Sequence, residues 1–84
     1  MADNGTRIGT VTHYYDKIGV GIIKLDQELT KGQTVNFKGK KTDFTQTVNQ
    51  IQFDHQDIES GAVGHEVGIK VDQPVHDGDG VFIS

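Results

Sequence analysis

The segment IGVGIIKL, residues 18–25, decides the fold class of this 84-residue chain. Apolar residues alternate there with Gly19 and Gly21, and alternation of this kind has the two-residue period of a β-strand. The two glycines allow the strand to bend sharply or a neighbouring backbone to approach it closely. The segment TRIGTVTHYY, residues 6–15, precedes it after a short polar break. We therefore predict that the two segments form a β-hairpin, with a bulge at Gly9.

The rest of the chain has the same character. Val, Ile and Thr supply 25 residues, whereas Ala and Leu supply four, and side chains branched at Cβ favour strands over helices. Further strands are expected at about 34–38, 42–53, 66–71 and 81–83, with a bulge near residues 49–50 and a polar connection over 54–61. No segment has helical periodicity. The pattern predicts an all-β fold, a small six-stranded Greek-key-like barrel, in which residues 1–5 are a flexible N-terminus and 6–84 a single domain.

The length and the missing residue types exclude several classes of protein. A chain of 84 residues forms one small domain and is too short for a self-contained nucleotide-hydrolysing domain. It contains no cysteine, so disulfides and thiolate metal sites are impossible. The beginning of the sequence has no apolar signal-peptide core, and no stretch reaches the ~20 apolar residues of a membrane span. We expect a soluble, cytoplasmic, monomeric protein that does not bind membranes.

The charge is unevenly distributed along the chain. Residues 1–42 have a net charge of +3 and residues 43–84 a net charge of −7, which together give −4. Such asymmetry is typical of a protein with a polar partner surface. The alternative is that strands from the two halves interleave in the barrel and mix the charges. The overall acidity argues against non-specific binding to duplex nucleic acid.

Five segments occur in an order that resembles a known family. They are GTVT at 9–12, IGVGII at 18–23, LTKGQTV at 29–35, VNQIQ at 48–52 and GHEVGI at 64–69. In this order the chain is similar to the second domain of translation elongation factors of the elongation factor Tu type, the translation-protein β-barrel. It also resembles small stand-alone proteins of that kind and the C-terminal module of collagenase-like peptidase family proteins. The resemblance covers about residues 6–84.

The resemblance implies a fold more than an activity, because the matched positions are mostly glycines, turn residues and apolar strand residues. The chain has no Gly-x-x-x-x-Gly-Lys-Ser/Thr phosphate-binding loop, so the GTPase activity of the elongation factors is not expected here. Fold similarity by itself does not supply a function. We therefore predict a non-catalytic binding module that contacts structured RNA, the ribosome or another ribonucleoprotein, and no cofactor.

A basic cluster is the candidate contact site. Lys38, Lys40 and Lys41 are placed at the tip of a predicted hairpin, and Arg7 is the fourth candidate. Basic side chains of this kind contact phosphates in structured RNA. The alternative is that the lysines keep an exposed hairpin soluble and protect it from edge-to-edge pairing.

Two other functions remain open. One is a protein-interaction adaptor that binds a basic partner on the acidic C-terminal half, for example through Asp54, Asp57 and Glu59. The other is a metal-dependent enzyme that uses the four histidines, His13, His55, His65 and His76. Their spacings match no known pair of zinc ligands, and neither serine lies in a nucleophile elbow. We therefore predict no catalytic and no metal-binding residues.

Overall fold

The computed structural model describes residues 6–54 and 56–83 and contains no helix in these ranges. Its strands are β1 (Thr6–Tyr15), β2 (Val20–Leu25), β3 (Leu29–Thr30), β4 (Thr34–Lys38), β5 (Asp43–Thr47), β6 (Ile51–Phe53), β7 (Gln56–Ile58), β8 (Ser60–Gly61), β9 (Glu66–Lys70) and β10 (Gly80–Ile83). The all-β class is confirmed. The flexible N-terminus predicted for residues 1–5 lies outside the described residues.

Eight strands form one sheet in the order β5-β4-β10-β1-β2-β9-β6-β7, and β3 and β8 form a second, two-stranded sheet. The strand pairs are antiparallel. Strand β10 lies between β4 and β1, and β9 lies beside β2. One strand from the acidic half, β10, is therefore inserted between two strands of the basic half, and β9 and β5 each pair with another, so the fold mixes the charges as the alternative interpretation of the asymmetry predicts.

The predicted hairpin of β1 and β2 is present, and β1 is irregular at two points. Its register shifts between Arg7 and Gly9 against β10, and between Val11 and His13 against β2. The first shift confirms a bulge at this point of β1, with Ile8, the residue before Gly9, as the extra residue. A Cβ atom on Gly9 would lie 2.7 Å from Cγ2 of Ile23, so the residue is glycine because β2 approaches too closely for a side chain.

The core consists of apolar side chains from nearly every strand. The buried residues are Ile8, Val11, Ile23, Leu25, Leu29, Val35, Phe37, Phe44, Val48, Ile51, Val67, Ile69, Val71, Val75 and Val81. The rings of Phe37 and Phe44 stack with their centroids 5.0 Å apart across the β4–β5 pair. Burial of each of these side chains contributes about 1.5–3 kcal/mol relative to exposure. Burial of the apolar side chains on the inner face of the sheet is therefore the main interaction that holds the strands together.

A buried glutamine connects the end strand β5 to the far end of β9. The side chain of Gln46 donates from Nε2 to the carbonyl oxygen of Lys70, at 2.8 Å, and accepts from the backbone N–H of Asp72, also at 2.8 Å. Gln46 is 6% exposed. Its amide group takes the place of a peptide group in a β-ladder and links two strands that do not pair with each other.

The strands differ from the prediction in three places. The single strand expected over 42–53 is divided, because β5 ends at Thr47 and β6 begins at Ile51. Between them the backbone N–H of Val48 donates to the carbonyl of Gln33, and its carbonyl accepts from the N–H of Gly32, each at 2.8 Å. A break, and not a bulge, thus accommodates the change of face near 49–50. The connection expected over 54–61 contains the short strands β7 and β8, and residues 29–30, predicted as part of a turn, form β3. Residues 6–54 and 56–83 therefore form ten strands where six were predicted.

Candidate functional site

The structure keeps three of the four predicted basic contact residues at one hairpin tip and places the fourth, Arg7, on another strand. Lys38 ends β4, where it is paired with Gly80 of β10 and with Asp43 of β5. Arg7 lies in β1, and β10 separates it from β4. Its guanidinium donates to the hydroxyl of Thr10 at 2.6 Å. Lys40 and Lys41 occupy the turn between β4 and β5, and the predicted hairpin tip at this position is confirmed.

Lys40 and Lys41 line a cavity of about 620 Å³ together with Gly39 and residues 76–79. We call this the tip cavity. Two carboxylates share it with the lysines, those of Asp77 and Asp79. Negative charge on the same cavity weakens the attraction of the lysines for a phosphate. The basic cluster is therefore partly compensated by the fold.

Beneath the tip cavity lies a hydrogen-bonded trio that we call the tip latch, formed by Thr42, His76 and Asp79. The hydroxyl of Thr42 donates to Oδ2 of Asp79 at 2.5 Å, and the backbone N–H of His76 donates to the same oxygen at 2.8 Å. Oγ1 of Thr42 also lies 3.0 Å from Nδ1 of His76. Because the hydroxyl hydrogen points to Asp79, a hydrogen bond at this last contact requires a hydrogen on Nδ1 of His76.

The tip latch contains a hydroxyl, an imidazole and a carboxylate, the groups of a hydrolase triad, but in an arrangement unsuited to nucleophilic attack. In a triad the hydroxyl donates to the imidazole, and the carboxylate holds the other ring nitrogen. Here the hydroxyl of Thr42 donates to the carboxylate, and Thr42 is only 3% exposed. The trio instead ties the β4–β5 turn to the turn before β10. Sequence reasoning missed it, because its members are up to 37 residues apart and follow no known motif.

The strongest candidate for a binding surface is an apolar groove on the outer face of β2 and β9. Tyr15, Ile18, Val20, Ile22 and Gly68 form its walls and floor, and its volume is about 370 Å³. We call it the outer groove. Ile18 is 58% exposed and Tyr15 48% exposed, although the outer face of an antiparallel sheet is normally polar.

Strand register explains the shape of the outer groove. Ile22 is paired with Gly68 and Val20 with Lys70 across the β2–β9 ladder. A Cβ atom on Gly68 would lie 3.2 Å from Cγ1 of Val20 and 3.5 Å from Cδ1 of Ile22. The missing side chain at Gly68 therefore leaves a trough between two aliphatic side chains.

The rim of the outer groove is polar and acidic, with Gln52, Asp54 and Glu66 among its lining residues. Asp54 has a positive φ of 55° at the turn after β6. Oε2 of Glu66 accepts a hydrogen bond of 3.1 Å from the hydroxyl of Thr12. Lys24 of β2 is paired with Glu66 of β9. Along β2 the lining of the groove thus changes from apolar side chains to the carboxylates of Asp54 and Glu66, with Lys24 opposite Glu66.

A second, shallower cavity of about 530 Å³ continues from the acidic end of the outer groove and shares Asp54 and Glu66 with it. Its wall includes the rings of Phe53 and His65, which stack with centroids 4.5 Å apart and an interplanar angle of 9°. The groove and this cavity therefore form one surface, with a flat ring pair at its far end.

The acidic residues of the predicted adaptor surface have different environments. Asp54 lies on the rim of the outer groove, whereas Glu59 is 3.9 Å from the ammonium of Lys31. The carboxylate of Asp57 accepts hydrogen bonds of 3.1 Å from Gln50 and from Gln52. These two bonds lower the pKa of Asp57 below its ordinary value of 3.8.

The histidines do not assemble into a metal site in the described part of the chain, which holds no group of three or more His, Cys, Asp or Glu side chains placed to bind a metal ion. The ring of His13 contacts that of Tyr15 at 4.4 Å, and His65 and His76 belong to the surfaces above. His55 lies outside the described residues.

Comparison with known proteins identifies a relative by sequence and solved domains with the same fold. No protein-family model matches the chain. The chain is 35% identical, over 77 residues and 90% of its length, to a Methanocaldococcus jannaschii protein described as an uncharacterized protease. The match spans only 19% of that protein.

Within residues 6–54 and 56–83, no helix is long and apolar enough to cross a membrane.

The fold matches a C-terminal domain from Geobacillus thermoleovorans whose parent protein is described as a U32 peptidase. The TM-score is 0.86 at 20% identity, over 92% of this chain and 90% of that domain. The selenomethionine variant of the domain gives the same TM-score and identity over 90% and 96% of the two chains. The predicted likeness to the C-terminal module of collagenase-like peptidases is thus confirmed at the level of the fold. The likeness to the second domain of elongation factors stays a prediction.

Proposed function

We propose that the chain is a non-catalytic binding module that docks onto a protein partner through the outer groove, and that this partner is the peptidase part of a U32-type protein. The observation that carries the proposal is the exposure of Tyr15 and Ile18 beside an apolar trough on a sheet face that is normally polar. This proposal keeps the adaptor function predicted from the sequence as an alternative, but places the contact in the outer groove, where the prediction placed it on the acidic C-terminal half.

The identity of the partner is argued from the length of the relative. The region similar to this chain makes up about a fifth of the Methanocaldococcus jannaschii protein, so most of that protein is polypeptide that a domain of this kind could contact. Contacts between domains of one chain resemble protein–protein interfaces and include apolar patches. An apolar groove on the outer face is suited to such a contact.

The arrangement of the tip latch supports a module without catalytic activity. Thr42 is buried and donates its hydrogen to Asp79, so its hydroxyl is neither accessible nor activated. Among the described residues, Ser60 is the only serine, and it is exposed in the two-residue strand β8. Thr42 contacts the imidazole of His76 but gives its hydrogen to Asp79, so the imidazole does not act on that hydroxyl as a base.

The experiment that tests the proposal is capture of partners from lysate of the native host, with the tagged full chain and with two variants. Ile18→Asp places a charge in the outer groove, and Val63→Asp makes the same change at a position that is 62% exposed and outside the groove. We expect the wild type and Val63→Asp to retain a U32-type peptidase, identified by mass spectrometry, and Ile18→Asp to lose it. Equal retention by Ile18→Asp, or no such peptidase with the wild type, would overturn the proposal.

A second candidate function is the contact with structured RNA or the ribosome predicted from the basic cluster. The observation in its favour is that Lys40 and Lys41 are both exposed on one cavity. Its test is the affinity for host ribosomal RNA at several salt concentrations, with Lys40 and Lys41 changed to Glu. Loss of affinity, with a log–log salt slope flatter by ~0.7–0.9 for each phosphate contact removed, would support it, and an unchanged affinity would refute it. Arg7 and Lys38 are the next residues to change.

A further inference from the structure

We infer that the outer groove selects an extended peptide segment with aliphatic side chains at alternate positions, followed two residues later by lysine or arginine. This inference rests on the proposed function and specifies the chemistry of the partner at the same site. It is argued from the register of β2 and β9 and from the change of polarity along them.

The spacing of the groove matches that of an extended chain. Along β2 the outward side chains are those of Val20, Ile22 and Lys24, which follow each other at every second residue. Outward side chains of one strand repeat at about 6.6–6.8 Å. A peptide that lies along β2 in extended form places its own alternate side chains at the same repeat. One of them then lies over Gly68, where the floor of the groove has no side chain.

The aliphatic preference follows from the walls of the groove. Val20 and Ile22 flank the trough, and Ile18 and Tyr15 extend it at one end. All four side chains offer hydrocarbon or aromatic surface, and two of them are about half exposed. An aliphatic side chain seated between them removes apolar surface of both molecules from water. A polar side chain at that position would lose its hydration without gaining a partner.

The basic preference follows from the acidic end. Asp54 and Glu66 lie on the rim of both the groove and the adjoining cavity; the lining of the groove includes no lysine or arginine, and that of the adjoining cavity includes one, Lys24. Two cations are nearby. Lys70 donates from Nζ to the carbonyl of Ile18 at 3.0 Å, and Lys24 is paired with Glu66. Lys24 offsets part of the charge of Glu66, and Asp54 supplies the second carboxylate that attracts a peptide cation.

The test uses synthetic heptapeptides, acetylated and amidated, with the 15N-labelled full chain. The probe is Gly-Leu-Ser-Leu-Ser-Lys-Gly. One control replaces its Lys by Glu, and the other replaces both Leu by Ser. We expect chemical-shift changes confined to residues 15–22, 52–54 and 66–68. We also expect the Lys probe to bind about fivefold more tightly than the Glu probe at low salt, with a smaller difference at high salt.

Two variants connect the binding to the groove. Gly68→Val fills the floor and should abolish binding of the probe, and its amide spectrum shows directly whether the fold is kept. Ile18→Ser changes only an exposed position and serves if Gly68→Val does not fold. Glu66→Gln should reduce the preference for Lys over Glu while the leucines still bind.

Equal affinity for the Lys and Glu probes, or shift changes located elsewhere on the molecule, would overturn the inference. This failure is distinct from failure of the proposed function. A U32-type peptidase that is captured by the wild type and lost with Ile18→Asp would still support docking at the groove, even if the Lys and Glu peptides bound equally well.

Discussion

Replacement of Gln46 by Leu tests whether one side chain holds two separate parts of the sheet together. Leu keeps most of the buried volume and removes both hydrogen bonds, one to the carbonyl of Lys70 and one from the N–H of Asp72. Each bond contributes about 0.5–1.5 kcal/mol net, and leaving a buried backbone group without a partner costs about 1–3 kcal/mol. Because water reaches part of this region, we expect a loss near the low end, about 2–3 kcal/mol.

Such a loss is large for a chain of this length. At ~0.05–0.15 kcal/mol per residue, the free energy of unfolding is about 4–12 kcal/mol, so Gln46→Leu would remove a substantial part of it. A change of 1 kcal/mol shifts the Tm of a small domain by about 4–8 °C, so the Tm should fall by ~10–20 °C. Urea unfolding and thermal melting followed by circular dichroism measure both quantities.

The matched control is Gln27→Leu, the same chemical change at an exposed position between β2 and β3, where an effect within about 0.5 kcal/mol is expected. Gln46→Glu refines the test, because it keeps the acceptor for Asp72 but places a carboxylate against the carbonyl of Lys70. Protonation of that Glu restores a donor, so this variant should regain stability relative to wild type as the pH falls. If Gln46→Leu unfolds like the control, the connection between β5 and β9 does not depend on Gln46.

Three further predictions concern the tip latch, the stability at acid pH and the bulge near Gly9. Asp79→Ala removes the acceptor for the Thr42 hydroxyl and the His76 N–H and should cost about 2–4 kcal/mol in urea unfolding; no loss would mean that the latch does not hold the tip. The pKa of Asp57 is lower in the folded protein than its ordinary value of 3.8. Its contribution to the free energy of unfolding is therefore fully present above pH 3.8 and is lost as the pH falls through the lower pKa of the folded state. With Asp57→Asn, the free energy of unfolding should therefore fall less steeply as the pH is lowered below 3.8. The same steepness as in the wild type would contradict this. Gly9→Ala forces a methyl group against β2 and should cost about 1–3 kcal/mol in thermal melts, whereas unchanged stability would show that the strands separate easily there.

Local patterns were sufficient for the parts of the fold that local geometry controls. The period of two in residues 18–25, the glycine at the change of phase at position 9 and the turn at 38–41 each predicted an element that the structure contains. Turn preferences and alternation act over a few residues, so the sequence displays them directly. The end of β5 at Thr47 was not predictable, because it depends on hydrogen bonds from Val48 to residues 32 and 33.

The buried polar groups were also beyond sequence reasoning. Gln46 occupies a strand whose neighbours alternate in the ordinary way, and its burial depends on Lys70 and Asp72, which are 24 and 26 residues away. The tip latch joins residues 34 and 37 apart. Only the path of the intervening chain brings such groups within hydrogen-bonding distance.

The sequence by itself determined that this protein is built of strands, because branched side chains, glycines and a period of two are properties of neighbouring residues. It did not determine which face of residues 18–25 is buried, since apolar side chains occupy both faces. The tertiary structure decided this by pairing β2 with β1 and β9, so that the side chains of Ile23 and Leu25 point into the core. Val20 and Ile22 are left beside Gly68 on the outer face, and the outer groove exists because a one-residue difference in phase exchanges the two faces of a strand.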